Sequence, residues 1–403
     1  RTRGLVLGDK KMKTPSLSRT AQAVKTSIIG ELLALAARPE VISFAGGLPT
    51  PEGFPVKALA DAAQKVLEEK SSRALQYSVA TGEKELKRFI AEHETRRGVP
   101  TTPDEVMIVS GSQQAIYFAA QAFVDEGSTI LVEAPSYMGA LQSFDLVRPH
   151  YQTLPTDEEG LNPAAMGEEC RGARFAYVMP TFGNPSGLTI SLERRKLLAE
   201  KARELDLWLI EDDPYGELWY DREPPISVRA FAPERTLRLG TFSKVLAPGL
   251  RLGYVCAPKE VIAVLSQFKQ ACDVHTSTLT QLIAAEVLNA GLLDGHLPMV
   301  RKIYKRQAEA MLVALEEFMP KRADISWTKP AGGMFIWVTL PETIDTAELM
   351  KKAVANNVAF VPGAVFYGVN PQKNKLRLSF VTVPTEKIRT GIAALVKVVK
   401  ESL

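Results

Sequence analysis

The chain has 403 residues, a length that predicts more than one domain. Hydrophobic residues make up 46% of it and charged residues 24%, as in an ordinary globular protein. The formal net charge of +3 does not favour nucleic-acid binding, and a charge interrupts every long apolar run, so no membrane-spanning segment is predicted.

The cysteines and histidines exclude two further classes. Cys170, Cys256 and Cys272 are odd in number and share no CxxC spacing, so we predict no disulfide framework and a reducing, cytoplasmic compartment. The four histidines lie far apart and form no metal-ligand pattern, so no metal is predicted. The first residues, RTRGLVLGDKKMKTPSLS, lack the apolar core of a secretory signal, which leaves a targeting segment, an expression remnant or a flexible arm.

The first predicted element is an amphipathic helix over residues 19–37, with apolar side chains at helical spacing. Residues 42–55, ISFAGGLPTPEGFP, are predicted to form a loop, because glycine and proline interrupt regular structure there. Gly46 and Gly47 would let the backbone of this loop approach a substrate carboxylate closely, although an ordinary turn also explains them.

A short buried strand at residues 105–111 leads into a helix that begins at Ser112. A strand followed by glycine, serine and a helix presents free backbone N–H groups and a positive helix end to an anion. Many α/β units share this arrangement, so Ser112 and Gln113 become candidate phosphate contacts only together with residues farther along. The next strand, residues 128–133, ends in a loop with Tyr137, whose flat ring suits either stacking on a ligand or ordinary packing.

Two more buried strands are predicted at residues 175–180 and 207–212. The first ends in the turn TFGNPSG, which contains Asn184. The second ends in three adjacent acids, among them Asp212, followed by Tyr215. Adjacent acids usually form a solvated edge or a metal site, but the buried strand that precedes these makes the solvated interpretation weaker.

Residues 236–253, TLRLGTFSKVLAPGLRLG, combine a predicted strand with a single lysine, Lys244. Most lysines are solvated surface charges, but Thr241, Ser243 and Arg251 supply two hydroxyls and a guanidinium, which suit a phosphate. A neighbouring cation also lowers the pKa of a lysine and frees its amine to act as a nucleophile. An amine beside a phosphate cradle predicts pyridoxal phosphate, an aldehyde cofactor held as a Schiff base.

From about residue 300 the pattern changes to a long amphipathic helix followed by short strands and helices, which predicts a smaller α+β unit. Two further strands are predicted at residues 236–241 and 252–257, which makes six between residues 105 and 257. These strands alternate with helices and predict a mainly parallel, doubly wound α/β sheet with the candidate ligand-binding residues at its C-terminal strand ends. We therefore predict an N-terminal arm and helix associated with the small domain, a large cofactor-binding domain and a small C-terminal domain, at residues 1–48, 49–299 and 300–403.

The motif TFSKVLAPGLRLG resembles the lysine motif of the fold-type I pyridoxal-phosphate aminotransferases of class I/II, within them the kynurenine/2-aminoadipate aminotransferase branch. The resemblance extends from about Leu17 to the C-terminus. It implies that Lys244 forms the Schiff base and that Asn184 and Tyr215 hold the 3′-oxygen of the cofactor. It also implies that Asp212, three residues before Tyr215, keeps the pyridine nitrogen protonated, whereas the acids on either side of it are structural.

The resemblance implies roles for the other candidates as well. It assigns the cofactor phosphate and ring to Ser112, Gln113, Thr241, Ser243, Arg251 and Tyr137. It assigns the substrate to Arg377, Gly46, Gly47 and Asn184, with the α-carboxylate bound by Arg377 of the strand motif LRLSF. Without the resemblance, an arginine on a strand more often lies at a solvated edge of a sheet. Tyr77 would reach the phosphate in a neighbouring subunit, which implies a homodimer with shared active sites. Thr181 and Gly183 depart from the family's usual turn and are candidates for an effect on specificity.

The implied activity is a ping-pong transamination from an L-amino acid to a 2-oxo acid such as 2-oxoglutarate or pyruvate, with Lys244 as general acid and base. Aminoadipate-using relatives have an arginine in the N-terminal helix where this sequence has Gly30, so we predict a weaker preference for aminoadipate and more tolerance of aromatic or aliphatic donors. Two alternatives stay open: a lyase or decarboxylase on the same fold, and an effector-binding domain of an aminotransferase-like regulator. The second is disfavoured because only about 30 residues precede the family core.

Overall fold

The computed structural model describes residues 15–23 and 38–403. The predicted N-terminal helix lies mostly outside these residues, and only its start, Arg19–Ala23 (α1), is described. The predictions for residues 1–14 and for Gly30 also lie outside them. Within residues 15–23 and 38–403, no helix is both long enough and apolar enough to cross a membrane.

A seven-stranded sheet occupies the centre of the molecule. In spatial order its strands are Val106–Val109 (β2), Gly253–Cys256 (β10), Thr236–Thr241 (β9), Trp208–Asp212 (β8), Phe175–Val178 (β7), Thr129–Val132 (β3) and His150–Thr153 (β4). Strand β10 is antiparallel to both of its neighbours, and all other neighbouring pairs are parallel. The predicted mainly parallel α/β sheet is confirmed.

Helices cover both faces of this sheet. Successive side chains of a strand point to opposite faces, and apolar side chains on each face pack against a different set of neighbours. Ile210 of β8 packs in one apolar cluster and the adjacent Leu209 packs in another. The helices associated with the large sheet are Val56–Glu69 (α2), Ser71–Ala74 (α3), Lys84–Arg96 (α4), Ser112–Phe123 (α5), Met138–Asp145 (α6), Leu192–Glu204 (α7), Lys259–Asp273 (α8) and Thr278–Asn289 (α9). The long helix Leu292–Phe318 (α10) leads away from it toward the C-terminal part.

The C-terminal part is built on a smaller antiparallel sheet. Its strands, in spatial order, are Ser326–Trp327 (β11), Phe335–Thr339 (β12), Lys375–Ser379 (β15) and Val361–Pro362 (β14). Helices Thr346–Ala355 (α11) and Thr385–Lys400 (α12) complete it. The short strand Ile42–Ser43 (β1) pairs in parallel with Val358–Ala359 (β13), so the N-terminal segment packs with this part. A separate hairpin joins Thr156–Asp157 (β5) to Gly160–Leu161 (β6).

The reversed direction of β10 positions the lysine motif. Strand β10 starts at Gly253, which lies opposite Thr241 of β9 and Val109 of β2. The connection from β9 to β10 therefore turns back at the edge where the parallel strands end. Both Lys244 and Arg251 lie in this connection, so both are delivered to the C-terminal edge of the sheet.

Candidate active site

A cavity of about 790 Å³ lies at that edge, between the large sheet and the small one. It is lined by residues of both sheets and of the segment that precedes α2. All the predicted site residues except Tyr77 line it: Gly46, Gly47, Ser112, Gln113, Tyr137, Asn184, Asp212, Tyr215, Thr241, Ser243, Lys244, Arg251 and Arg377. The structure therefore brings together residues that are scattered over more than 300 positions of the sequence.

Lys244 presents its amine to the cavity. The side chain is half-buried, and Nζ donates a hydrogen bond to the Gly47 carbonyl at 2.7 Å. Burial and the nearby guanidinium groups of Arg377 and Arg251 disfavour the charged amine and lower its pKa from 10.5 to about 8. About a tenth of the amine is therefore uncharged at pH 7, far more than at the ordinary pKa of 10.5, and the uncharged form is the one that a nucleophile or a general base requires.

Hydroxyls, a helix start and a guanidinium converge at one end of the cavity. Gly111, with a φ of 86°, precedes the first turn of α5 at Ser112. The Arg251 guanidinium donates to the Ser110 carbonyl, with 3.2 Å between Nη2 and the oxygen. A Cβ atom on Gly111 would lie 2.4 Å from the same Nη2, and L side chains rarely adopt the φ of 86°, so glycine is favoured at this position. Since a helix start and a guanidinium both favour negative charge, this end of the cavity suits a phosphate.

The Gln113 side chain is engaged with α6 and not with the phosphate end. Its Nε2 donates to the Gly139 carbonyl at 2.6 Å and to Ser143 Oγ at 2.8 Å. Its Oε1 accepts a hydrogen bond from the Tyr137 hydroxyl at 3.2 Å. Gln113 can therefore offer an anion its backbone N–H, while the Gln113 side chain holds Tyr137 in the wall of the cavity.

The three adjacent acids at the end of β8 have different surroundings. Glu211 accepts hydrogen bonds from the Ser227 hydroxyl at 2.5 Å and from the Val228 amide at 3.1 Å. Asp213 forms an ion pair with Arg238 at 2.9 Å. Only Asp212 of the three lines the cavity.

Asp212 presents one free carboxylate oxygen. Its Oδ2 accepts a hydrogen bond from the Tyr177 hydroxyl at 2.6 Å, whereas its buried Oδ1 has no hydrogen-bond partner. Burial raises the pKa of Asp212 to about 7, and the Tyr177 hydrogen bond opposes that rise. A buried oxygen without a partner is costly, so the site is suited to a ligand that donates a proton to it.

Arg377 is buried, with 3% of its surface exposed, and lies on β15 of the small sheet. Its Nη1 donates to Asn184 Oδ1 at 2.9 Å and its Nη2 to the Ala45 carbonyl at 2.6 Å, while Nε is buried without a partner. Burial lowers the pKa of Arg377 to about 10. Its guanidinium lies over the Phe335 ring, 4.3 Å from the centroid. The alternative interpretation of Arg377, an arginine at a solvated sheet edge, is wrong, because β15 is an inner strand of the small sheet and the side chain is buried.

Several residues of the site have no counterpart among the predicted ones. Tyr177 of β7 is one of them, and its sequence gives no signal for this role, because all four residues of β7 are buried. The further lining residues include Arg38, Leu48, Met138, Met179, Val361 and Thr382. Thr181 and Gly183 do not line the cavity, and Thr181 Oγ1 instead accepts a hydrogen bond from Arg195 at 2.9 Å. Tyr77 lies outside the cavity and is 81% exposed.

Comparison with known proteins gives consistent results. Residues 39–395 match the family described as aminotransferase class I and II. The chain is 43% identical to aromatic-amino-acid aminotransferase 1 of Thermococcus litoralis, with 98% of each chain covered. It is 41% identical to 2-aminoadipate transaminase of Thermus thermophilus, with 96% of each covered. The solved structure of kynurenine aminotransferase from Pyrococcus horikoshii, in complex with PMP, matches with a TM-score of 0.92 at 39% identity, covering 96% of this chain and 97% of that one.

Proposed function

The chain belongs to the class I and II aminotransferases, enzymes of pyridoxal phosphate, and from this premise we propose that Lys244 is its catalytic residue. The reaction moves an amino group from an L-amino acid to a 2-oxo acid in two half-reactions. The observation that carries the assignment is the Lys244 amine, half-buried in the cavity with its pKa lowered to about 8.

The residues around Lys244 fit pyridoxal phosphate. The partnerless Oδ1 of Asp212 suits a protonated pyridine nitrogen, and the helix start at Ser112 with the Arg251 guanidinium suits a phosphate. We assign the phosphate to Ser112, Gln113, Thr241, Ser243 and Arg251, the ring face to Tyr137, the ring nitrogen to Asp212 and the ring oxygen to Asn184 and Tyr215. The Asn184 side-chain oxygen accepts from Arg377, so its Nδ2 is the group that can donate to the ring oxygen.

When bound, pyridoxal phosphate supplies an aldehyde carbon for the amino nitrogen and a ring that takes up the electron pair released at the substrate's α-carbon. As general base, Lys244 would take the proton from that α-carbon, and as general acid it would deliver the proton to the carbon that the cofactor's aldehyde supplies. Its hydrogen bond to the Gly47 carbonyl restrains the amine on the side of the cavity nearest the loop of residues 45–48. An ionised Asp212 would keep a proton on the ring nitrogen, and the Tyr177 hydrogen bond favours that ionised form.

The substrate's α-carboxylate is assigned to Arg377. This buried cation has a free Nε and no carboxylate within salt-bridge distance among the described residues, so a carboxylate that enters the cavity satisfies it. Gly46 and Gly47 flank the same region. A Cβ atom on Gly46 would contact only Leu48, at 3.7 Å, so the protein itself does not require glycine there. If Gly46 is required, the requirement comes from the bound substrate.

For the substrate side chain we propose aromatic or aliphatic amino acids. Leu48, Met138 and Val361 supply apolar surface to the cavity, and one relative is named for aromatic amino acids. Another relative is named for 2-aminoadipate, and we expect this chain to use that donor less well. Steady-state kcat/KM values for phenylalanine, leucine and 2-aminoadipate, with 2-oxoglutarate as acceptor, test this; 2-aminoadipate as the best donor would contradict it.

We also propose a homodimer in which Tyr77 contacts the phosphate bound by the partner. Tyr77 is exposed, and so are its chain neighbours Leu75 and Val79 and, next to His275, Val274; the rings of Tyr77 and His275 lie 5.9 Å apart between centroids. The backbone beside Tyr77 is held in place, since the Ser78 amide donates to His275 at 3.2 Å. Exposed apolar surface of this kind marks protein interfaces.

The proposed domains follow the two sheets. The strands of the large sheet fall within residues 49–299 and those of the small sheet within residues 300–403. Residues 42–44 hydrogen-bond to β13 and β15 of the C-terminal part, which supports assigning the N-terminal segment to it. A cytoplasmic location is proposed from the cysteines, all three of which are free.

The experiment that tests the function is visible and near-ultraviolet absorbance of the protein loaded with pyridoxal phosphate. An amino acid should bleach the cofactor band, because the first half-reaction adds an amino group to the cofactor. 2-Oxoglutarate should restore the band, because the second half-reaction removes that amino group. A band that does not cycle would indicate a lyase, a decarboxylase or an effector-binding role. Lys244→Ala should abolish the cycle, and near-normal cycling in that variant would remove the assignment of Lys244.

A further inference from the structure

Lys269 is a buried amine that the proposed reaction does not use. It lies near the end of α8, and its side chain is 0% exposed. Its Nζ donates to Asp273 Oδ2 at 2.8 Å, to Gln114 Oε1 at 2.8 Å and to Ser110 Oγ at 3.3 Å. A buried ammonium group is costly unless its protons have hydrogen-bond acceptors, and these three acceptors offset that cost for Lys269.

The three acceptors are also joined to one another. Gln114 Oε1 accepts from the Ser110 amide at 2.9 Å, and Gln114 Nε2 donates to Asp273 Oδ2 at 2.8 Å. Ser110 Oγ lies 3.1 Å from Asp273 Oδ2 and 3.1 Å from Thr276 Oγ1. This polar network ties the last turn of α8 to the first turn of α5, and removing one member weakens the remaining contacts.

The network surrounds the turn that begins α5. Ser110 directly precedes Gly111, whose φ of 86° turns the chain into the helix. The carbonyl of Ser110 also accepts a hydrogen bond from the Arg251 guanidinium. The position of Ser110 therefore fixes both the direction of the first N–H groups of α5 and one contact of Arg251.

We propose that Lys269 is a positioning residue for the phosphate end of the cofactor site. From behind the turn it holds Ser110 and Gln114, so that the N–H groups of Ser112 and Gln113 converge on one anion. Lys269 does not line the cavity, so it acts through the turn and not by contact with the phosphate. This inference rests on the proposed function, since it requires that the phosphate binds at the start of α5.

The test compares two ligands of the apoprotein: pyridoxal phosphate, and pyridoxal, which lacks the phosphate. We expect Lys269→Met to raise the Kd for pyridoxal phosphate by about tenfold or more, the equivalent of about 1.4 kcal/mol, while the Kd for pyridoxal changes by less than roughly twofold. Gln114→Leu removes the acceptor that links Lys269 to the Ser110 amide and should give the same selective loss. Lys87→Met is the matched control, because Lys87 is half-buried on α4 and outside the cavity, and both Kd values should stay unchanged.

The outcomes separate the inference from the proposed function. Equal rises in both Kd values would mean that Lys269 only supports the fold, and no rise in either value would mean that the turn keeps its geometry without it; each result overturns the inference. If Lys269→Met does not fold, Gln114→Leu decides by the same criterion. A wild-type protein that binds neither ligand would contradict the proposed function instead.

Discussion

At the scale of single residues, the cavity is defined by cations that lack carboxylate partners. Among the described residues, neither Lys244 nor Arg377 takes part in an ion pair, and Arg251 bonds to backbone carbonyls. The three positive groups disfavour one another, and Lys244, whose pKa falls to about 8 while that of Arg377 falls to about 10, releases its proton more readily than Arg377. The same positive potential attracts the phosphate and the carboxylates of the reactants.

The rate at which the apoprotein captures pyridoxal phosphate should follow the titration of Lys244. Only the neutral amine attacks the aldehyde, and burial with two cations lowers its pKa from 10.5 to about 8. We expect the rate to rise with pH, with a midpoint near about pH 8 and a plateau above about pH 9, in stopped-flow absorbance from about pH 6 to about pH 10. Arg377→Met removes one cation and should move the midpoint to higher pH. A wild-type rate that still rises near pH 10 would show that the amine keeps its ordinary pKa.

Arg377→Lys should lower kcat/KM for amino acids by roughly 100-fold or more, since lysine keeps the charge but lacks the planar fork. The variant also loses the hydrogen bonds to Asn184 and Ala45. Single-turnover bleaching with an amino acid and with the corresponding amine, which has no carboxylate, measures the effect. The preference for the amino acid over the amine should collapse in the variant. An unchanged preference would place the carboxylate elsewhere.

Tyr177→Phe should move the acidic limb of the pH–rate profile upward by about one unit. The hydroxyl stabilises ionised Asp212 through the 2.6 Å hydrogen bond, so its removal raises the pKa of Asp212, which is already about 7. At a given acidic pH a smaller fraction of Asp212 is then ionised and the rate falls. Tyr151→Phe is the control, because Tyr151 bonds to Asp145 at 2.7 Å outside the cavity. Equal shifts in both variants would mean that the limb does not report Asp212.

At the scale of elements, strand β10 lies unusually close to the backbone of the elements on either side of it. A Cβ atom on Gly253 would lie 2.7 Å from the Ser112 amide nitrogen and 2.9 Å from the Gly240 carbonyl oxygen. These are backbone atoms on both neighbouring elements, and they cannot move without separating the strands. The close approach therefore fixes the distance between the start of α5 and the lysine motif.

Gly253→Ala should lower the free energy of unfolding by about 1–3 kcal/mol and weaken the binding of pyridoxal phosphate, because the added methyl separates β10 from the start of α5. Urea unfolding and cofactor titration measure the two effects. Gly249→Ala is the control, since a Cβ atom there meets no heavy atom within 4 Å, and it should leave both unchanged. A Gly253→Ala protein as stable as the control would show that the strands can move apart.

The elements that sequence patterns predict are those with apolar strands. The six strands predicted between residues 105 and 257 all occur, with ends that differ by at most two residues. Strand β4 was not predicted, because His150–Thr153 contains no apolar alternation and lies at the edge of the sheet. Periodicity reports burial against a core, and an edge strand with polar residues gives no such signal.

The motifs predict which residues meet but not how they are held. Lys244 and its hydroxyl neighbours are close in sequence, so their chemistry is visible there. The contact of Tyr177 with Asp212 joins two parallel strands, and that of Lys269 with Gln114 spans 155 residues. No local pattern reports such pairs, because they depend on how strands and helices align in space.

At the scale of the whole molecule, the dimer can be tested by mixing two damaged subunits. Tyr77→Ala should impair the site of the partner, and Lys244→Ala should disable its own. After the variants are mixed, denatured and refolded, each heterodimer has one site with both wild-type residues. We expect activity to recover to about a quarter of the wild-type value, since about half of random dimers are mixed and each has one intact site. A mixture with no more activity than the Tyr77→Ala protein alone would contradict shared sites.

The hydrogen bond from Arg377 to the Ala45 carbonyl joins residues 332 positions apart in the chain. During synthesis on a ribosome, the strands of the large sheet, which end at Cys256, emerge well before Arg377 does. The nascent chain thus contains Lys244 and the proposed phosphate contacts at a stage when Arg377, the proposed carboxylate contact, has not yet been made. With these roles, the site would be completed from its cofactor side to its substrate side, and the ability to discriminate amino acids would be the last property that the growing chain acquires.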